Sequence, residues 1–172
     1  MGFPSPYVLS PRVSAASLSA IATSSVLGGS GTAVPHTGTL TETLLAAVTV
    51  PAGAMGLHGV LKIASLWSYT NSANNKAPRV RFSGLAGTAY YGNNLTTTAS
   101  LWAVCMIWNA GAANAQRGMV SSVAPQGSSA AALVTSAVDT AAADTTVAFT
   151  ATLANIGETI TLQNYLVELL RP

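Results

Sequence analysis

Charged residues are scarce in this 172-residue chain. It has seven Lys/Arg and five Asp/Glu, 7% of all residues, whereas an ordinary domain carries about 25%. A monomer needs a mixed charged surface and a net charge away from zero to stay dispersed, but the formal net charge here is only +2 and 49% of residues are hydrophobic. The composition therefore predicts that other subunits cover much of the surface, as in obligate oligomers. A weakly charged monomer is the alternative.

Long apolar runs and cysteines are also missing or rare. A membrane-spanning helix needs about 18 consecutive apolar residues, and the best run, residues 44–60, is broken by Thr49, Pro51, His58 and three glycines. We therefore expect no membrane partner. The first twelve residues carry three prolines and no secretory signature. The single cysteine, Cys105, excludes an internal disulfide and a Cys-based zinc site, and its apolar surroundings predict a buried, inert thiol.

The residues that carry catalysis are nearly absent. Carboxylate catalysis needs two acids brought together, and the closest pair in sequence, Asp139 and Asp144, is more simply read as two loop acids than as a cation site. His36 and His58 are too few for a metal site and have no Gly-x-Ser-x-Gly partner motif. The glycine-rich run at 28–31 has no following Lys-Ser/Thr, so it is not a P-loop. The sequence predicts a non-enzymatic protein with no catalytic residue, cofactor or metal.

The basic character of the chain does not indicate nucleic acid. The sequence pI is near 8.9, but a nucleic-acid binder usually clusters Lys and Arg on one face. The only local concentration is Lys76, Arg79 and Arg81, which fits the solvated side of a short strand. We expect no nucleic-acid partner.

From residue 40 onward the pattern is that of β-structure. Apolar and Thr-rich segments are separated by Gly, Pro, Asn and Ala turns. The predicted strands are residues 40–50, 57–69, 78–82, 89–91, 95–108, 119–123, 145–152 and 158–170. About eight strands at short spacing predict an antiparallel β-sandwich or jelly roll. Residues 128–144 fit a helix or a strand equally well.

Two of these strands are apolar on both faces. In residues 57–69, Leu61 and Ile63 share one face while Val60 and Leu66 share the other with Lys62. Residues 95–108 show the same property. A strand with two apolar faces has both covered, so we expect a second sheet on one side and a subunit or the N-terminal arm on the other. Within residues 89–91, strict alternation predicts that the two tyrosines point to opposite faces.

Residues 1–39 differ from the rest of the chain. The segment 13–27 has the spacing of a short helix, and the glycine-rich run 28–31 has the composition of a flexible joint. We expect an N-terminal arm over residues 1–39, ordered only where it touches a neighbour, followed by a sandwich domain over 40–172. A frayed terminus is the alternative.

The aromatic residues and two arginines are the candidate interface residues. The aromatics could anchor a protein interface or form a stacking platform for sugars or bases. Core packing is the first expectation for each Trp, an oligomer interface the second and glycan binding the third. The candidates are Trp67, Tyr69, Arg79, Arg81, Tyr90, Tyr91, Trp102 and Trp108.

Four short segments resemble a known class of proteins. They are Pro51-Ala52-Gly53, the hairpin Leu66-Trp67-Ser68-Tyr69-Thr70-Asn71-Ser72-Ala73-Asn74-Asn75-Lys76, the strand Arg79-Val80-Arg81-Phe82, and Ala154-Asn155-Ile156-Gly157-Glu158-Thr159-Ile160-Thr161-Leu162. The chain from about residue 40 to 170 resembles small β-sandwich (jelly-roll-like) structural proteins of tailed-bacteriophage virions. The resemblance leaves the arm unmatched and carries no catalytic residue.

The resemblance implies a virion component but not its position. Such modules occur as capsid decoration proteins and as fibre heads, commonly as trimers. The first expectation is a virion protein, made in the host bacterial cytoplasm, that decorates the capsid as a homotrimer and reaches the major capsid protein, or another virion protein, through residues 1–39. The alternative is a tail-fibre or tail-tip receptor-binding head that contacts a host glycan through the loops at 90–94, 109–118 and 124–129.

Overall fold

The computed structural model describes residues 24–119 and 133–172. Within these two ranges the chain forms eleven β-strands and no helix. The strands are β1 (Ser24–Ser30), β2 (Val34–Thr37), β3 (Thr43–Val50), β4 (Val60–Tyr69), β5 (Lys76–Phe82), β6 (Thr88–Gly92), β7 (Ser100–Asn109), β8 (Gln116–Gly118), β9 (Val134–Ser136), β10 (Thr145–Leu153) and β11 (Thr159–Leu170).

The strands form two antiparallel sheets packed face to face. Sheet A has the order β1-β11-β4-β7-β8-β9, and β2 also pairs with β11. Sheet B has the order β3-β10-β5-β6. Apolar side chains from both sheets fill the space between them in one core. The predicted all-β antiparallel sandwich is confirmed, with eleven described strands where about eight were expected.

Alternation of side chains positions the central strand β4. Leu61, Ile63 and Trp67 are buried in the core, while Lys62 and Leu66 lie at the intervening, more exposed positions. In the neighbouring strand β7, Ile107 pairs with Leu61 and Cys105 pairs with Ile63, and both are also buried. The two faces that the sequence assigned to β4 and β7 are therefore the two faces of sheet A.

The pattern is equally clear in sheet B. Val80 and Phe82 of β5 are buried, and Arg79 and Arg81 lie on the opposite face, as the sequence indicated for the two arginines. Lys76, which was expected on the same solvated side, is fully buried. In the neighbouring strand β10, Phe149 pairs with Val80 and is buried. The core therefore lies between β4, β7 and β11 on one side and β10 and β5 on the other.

The glycine-rich run is part of a strand and not a flexible joint. Gly28 and Gly29 lie in β1, which pairs with β11. A Cβ at Gly28 would lie 3.0 Å from a methyl carbon of Val48, and one at Gly29 would lie 2.9 Å from the backbone oxygen of Tyr165. The glycines therefore allow close packing. Strand β2 also pairs with β11, so both described strands of the predicted arm belong to sheet A. Residues 1–23, and most of the helix predicted over 13–27, lie outside the described residues, and 24–27 are strand.

A bulge changes the predicted directions of the two adjacent tyrosines. Val80 pairs with Tyr91, but Arg81 pairs with Ala89, so Tyr90 is an extra residue between them. Extra residues of this kind locally interrupt the alternation of a strand. As a result both tyrosines are buried, where strict alternation predicted opposite faces.

The segment between β7 and β10 differs most from the prediction. The predicted loop 109–118 ends in the short strand β8, and the ambiguous segment 128–144 contains β9. The predicted strand 119–123 lies outside the described residues after Met119. At the other end, β7 begins at Ser100 rather than at Leu95, which forms an isolated bridge with Lys76.

Candidate assembly surface

The outward-facing side of sheet A is apolar. Its residues come from alternate positions of β1, β11, β4 and β7, and we call this surface the sheet A outer face. Its large side chains include Val26 (63% exposed), Leu66 (40%), Trp102 (72%), Trp108 (42%) and Leu166 (37%). Val60, Ala64, Val104, Met106 and Leu170 complete it and are partly buried. Apolar side chains gathered on one exposed face typically mark an interaction site.

Strand register brings these side chains together. Leu66 lies between Asn164 of β11 and Trp102 of β7. Near the other end of the sheet, Val60 lies between Leu170 and Trp108. Because neighbouring strands lie about 4.8 Å apart, the exposed aromatic and aliphatic groups form one continuous surface across three strands.

An ion pair lies in the middle of this apolar surface. Lys62 Nζ of β4 is 3.0 Å from Glu168 Oε2 of β11, and both side chains are partly exposed. Exposed pairs of this kind contribute little to folding stability, typically about 0–1 kcal/mol. Because Lys62 and Glu168 carry opposite charges, the centre of the sheet A outer face has no net charge.

A groove runs along the same face beside Trp102. Its volume is about 440 Å³, and it is lined by residues of β1, β4, β7 and β11. Small residues create it: Gly29, Gly31 and Ala64 leave space between Leu166 and Trp102. A Cβ added at Gly31 would lie 3.1 Å from Asn164 Nδ2. The face thus has a projecting indole next to a depression.

The outward face of sheet B is different in character. Arg81 forms a bidentate pair with Glu42, with its Nε 2.7 Å from Oε1 and its Nη2 2.8 Å from Oε2. Thr150 donates its hydroxyl to the same carboxylate. The hydrogen bond from Arg81 is the main cause that holds the pKa of Glu42 below its usual value, and Thr150 adds to it. Polar side chains therefore occupy the part of this face around Thr150, while Leu44, which pairs with Thr150, is 46% exposed.

A charged cluster fixes the hairpin loops at one end of the sandwich. Lys76 Nζ, fully buried, donates to Ser72 Oγ (2.8 Å), to the backbone oxygen of Asn74 (2.6 Å) and to Glu158 Oε2 (3.4 Å). Ser72 Oγ and Asn74 Nδ2 donate to the other carboxylate oxygen. These hydrogen bonds, that of Ser72 first, lower the pKa of Glu158. All four residues lie in the segments that carry the bacteriophage resemblance.

A neutral polar cluster fixes the loops at the opposite end. Gln116 Nε2 donates to Asn109 Oδ1 (2.9 Å) and to the backbone oxygens of Ala113 (2.9 Å) and Val138 (3.0 Å). Its Oε1 accepts from the backbone nitrogen of Val138 and from Ser136. Both amide side chains are buried. The loops after β7 and β9 are therefore held to each other by side chains that a sequence reading places at the surface.

The structure separates the eight predicted interface residues into three groups. Trp102 and Trp108 lie on the sheet A outer face, so core packing was the wrong expectation for both. Arg79 and Arg81 lie on the outward face of sheet B. The remaining four aromatics are buried in the core and cannot contact a partner there: Trp67, Tyr69, Tyr90 and Tyr91.

Several residues of the face were absent from that candidate set. Val26, Leu66 and Leu166 are exposed there, and Met106 is partly exposed. A signal was present for two of them, because Leu66 and Met106 occupy the second apolar face of strands that are apolar on both sides. No comparable signal existed for Val26, whose strand contains three small residues after it.

Burial suppresses ionisation of the core thiol and phenols. It raises the pKa of Cys105 to about 12 and that of Tyr91 to about 12, and it also raises the pKa of Tyr69. Cys105 is therefore a buried free thiol, as the sequence predicted. His36 is buried as well, and burial lowers its pKa.

All five carboxylates of the chain have structural partners. Three of them form ion pairs, as given above. Asp139 Oδ1 accepts the backbone N–H groups of residues 141 and 142, and Asp144 Oδ1 accepts that of Ala52. Among residues 24–119 and 133–172, no group of three or more His, Cys, Asp or Glu could hold a metal ion. In the same ranges no helix meets the length and hydropathy needed to span a membrane.

The chain has weak structural similarity to two viral proteins. No protein-family model matches the sequence, and no curated protein matches it significantly. Among solved structures, the chain is similar to the CBM2 module of the evolved Dit of Lactobacillus casei BL23 phage J-1, with a TM-score of 0.39 and 10% identity over 73% of this chain and 69% of that chain. A chain of infectious bursal disease virus, Gx strain, gives a TM-score of 0.26 and 10% identity, over 87% of this chain and 40% of that chain. Both likenesses are too weak to carry an argument about function.

Proposed function

We propose that this protein is a non-enzymatic structural component of a tailed-bacteriophage virion that decorates or cements the capsid shell as a homotrimer. The sheet A outer face carries this proposal, because a largely apolar surface that spans four strands works by covering, or being covered by, another macromolecule. The sequence segments at 66–76, 79–82 and 154–162 resemble virion proteins of this kind and point the same way. The protein would be made in the host bacterial cytoplasm and act in the virion.

The chemistry of the described residues supports a role in assembly. Each Asp and Glu side chain forms an ion pair or accepts a backbone hydrogen bond that holds the fold. The thiol of Cys105 is buried and held in its neutral form by burial. These features support a protein that acts through its surface.

The rigidity of the sandwich also supports this role. The cluster around Glu158 ties two hairpins together at one end, and the cluster around Gln116 ties two loops at the other. Fully satisfied buried polar networks hold a unique arrangement. A decoration protein needs such a fixed shape, because every copy must fit the same site on a regular shell.

We assign the contact with the shell, through the major capsid protein, to the residues that precede β1. Strands β1 and β2 are paired with β11, so we assign the shell contact to residues 1–23, the part of the expected arm that lies outside the described residues. Removing residues 1–34 would also remove β1 and expose the edge of β11. A test of the arm should therefore stop before Ser24.

The test is co-sedimentation with phage capsids stripped of their accessory proteins. The full chain should pellet with the shells, and a variant lacking residues 2–22 should stay in the supernatant while its circular dichroism and urea midpoint match those of the full chain. Shell binding that survives this deletion would contradict the assigned contact. A full chain that ignores shells would contradict decoration itself.

A receptor-binding head is the second candidate, and the groove beside Trp102 favours it. An exposed indole can stack on a sugar ring while the amide of Asn164 bonds to a hydroxyl. This role predicts that the protein pellets with host bacteria and that Trp102→Ala abolishes the pelleting. In the 109–118 loop only exposed positions are suitable for testing, namely Asn114 and Arg117, because changing Gln116 would disrupt the fold. Pelleting unaffected by all of these changes would exclude the groove and the 109–118 loop as the receptor-binding surface. The third loop of this hypothesis, 124–129, lies outside the described residues.

A further inference from the structure

We propose that the sheet A outer face is the surface through which copies of this chain associate, with Trp102 of each copy packed against the groove of another. The proposal rests on the proposed role as an oligomeric assembly protein and names the surface that makes the oligomer. Three properties of the face support a second copy as its occupant: its area, its pairing of a projection with a depression, and its charge.

The area of the face matches a protein partner. Four strands at about 4.8 Å spacing give a width of about 19 Å, and strands of ten residues at about 3.3 Å per residue give a length of about 33 Å. Their product, roughly 600 Å², is comparable to the roughly 800 Å² that each partner buries in a standard stable interface. A small ligand would leave most of the apolar surface in water.

The shape of the face is suited to its own copy. Trp102 is 72% exposed and projects at one side of a groove of about 440 Å³. A two-fold interface uses the same surface patch on both copies, and a ring of copies fits a projection of one copy into a depression of the next. A projecting indole adjacent to a depression suits either arrangement, and aromatic side chains are typical anchors at the centres of interfaces.

The charges on the sheet A outer face also allow two copies of the chain to associate through it. Lys62 and Glu168 lie side by side at its centre, so two copies bring no net repulsion there. Placed opposite each other, the ammonium group of one copy can meet the carboxylate of the other. Charged pairs of this kind set orientation and specificity more than affinity, which makes them useful probes.

The first experiment measures the mass of the full chain by size-exclusion chromatography with light scattering. The wild type should have a mass of two or three times 17.3 kDa. Trp102→Arg should elute as a folded monomer, with self-association weakened by at least about tenfold, because the side chain contributes nothing to the core. Ile156→Arg is the matched control: that residue is 61% exposed but lies in the turn between β10 and β11, and its variant should keep the wild-type mass. A monomeric wild type, or an unchanged mass for Trp102→Arg, would overturn the proposal.

The second experiment identifies the occupant as another copy. Lys62→Glu leaves two carboxylates on the face, and Glu168→Lys leaves two ammonium groups. Each variant alone should be monomeric or dissociate at least about tenfold more readily, and an equimolar mixture should form a species heavier than the monomer. A mixture that stays monomeric while both variants remain folded would refute direct contact between these faces.

The same samples separate this inference from the proposed function. If the wild type is an oligomer but does not pellet with stripped capsids, self-association through the sheet A outer face is supported and capsid decoration is contradicted. A monomeric wild type that pellets with capsids keeps decoration and assigns the sheet A outer face to the shell instead of to a second copy.

Discussion

Replacing Gln116 by Met tests whether the buried amide cluster holds the loops at its end of the sandwich. The side chains have similar length and volume, so packing is largely kept, but all five side-chain hydrogen bonds of the glutamine are lost. Ala113 O keeps a donor in Thr140 Oγ1. Asn109 Oδ1 and both backbone groups of Val138 lose the partners described above.

The expected loss of stability follows from those three groups. Each buried polar group left without a partner costs about 1–3 kcal/mol. Val138 is only partly buried, so water can compensate part of its loss. We therefore expect a decrease of about 3–5 kcal/mol in the free energy of unfolding. With a urea dependence of about 2 kcal/mol per molar, the urea midpoint should fall by about 1.5–2.5 M.

The control is the same substitution at a less buried glutamine. Gln163 Nε2 donates one hydrogen bond, 2.8 Å long, to Ser68 Oγ, so Gln163→Met should lower stability by about 1 kcal/mol or less. Equilibrium urea unfolding followed by tryptophan fluorescence measures both variants. If Gln116→Met costs no more than Gln163→Met, the amide cluster does not hold the loops and the reasoning fails.

Three other measurements test separate features of the fold. Gly118→Ala should lower stability by about 1–3 kcal/mol, because its Cβ would lie 2.5 Å from Tyr90 Cδ1; Gly157→Ala, whose Cβ would lie 3.5 Å from Asn155 Oδ1 at ordinary van der Waals distance, should be close to neutral, and equal effects would count against this packing. The thiol of Cys105, with its pKa raised to about 12 by burial, should react with a thiol reagent only as fast as the protein unfolds; rapid labelling of the native protein would contradict its burial. The pKa of Glu42 lies below its ordinary value of 4.5 in the folded state, because Arg81 donates a hydrogen bond to the carboxylate. Its contribution to stability is therefore present above that pH and is lost as the pH falls through the folded value. Glu42→Gln should therefore be less stable at pH 7 and lose less on acidification, and parallel pH profiles for variant and wild type would refute the role of its pair with Arg81.

The sequence was most informative where long side chains alternate. Alternation correctly placed Leu61 and Ile63 on one face of β4, although it did not show which apolar face packs in the core, and it correctly placed Val80 and Phe82 inward in β5. The second apolar face of β4 and β7 lies on the outer side of sheet A, and its covering by another subunit stays a prediction. Such periodicity is a local property, so it can be read without knowing which strands pair.

Features that depend on distant partners could not be read in the same way. Glycines carry no side chain that could show alternation. The glycine-rich run was therefore predicted as a flexible joint, whereas it forms part of β1, which pairs with β11. Burial of Gln116 depends on Asn109 and Val138, which come from other segments of the chain. The extra residue in β6 is set by its register with β5, and it reversed the expected direction of one tyrosine.

The position of β11 in sheet A has a consequence for biosynthesis. This strand, late in the chain, pairs with β1, β2 and β4, so the early strands lack their shared neighbour until residues 159–170 leave the ribosome. Pairing between such distant segments is slow, and strand edges exposed during the delay invite aggregation. Production in bacteria should therefore gain more from slower synthesis at low temperature than from added stability, because the vulnerable interval precedes the native state.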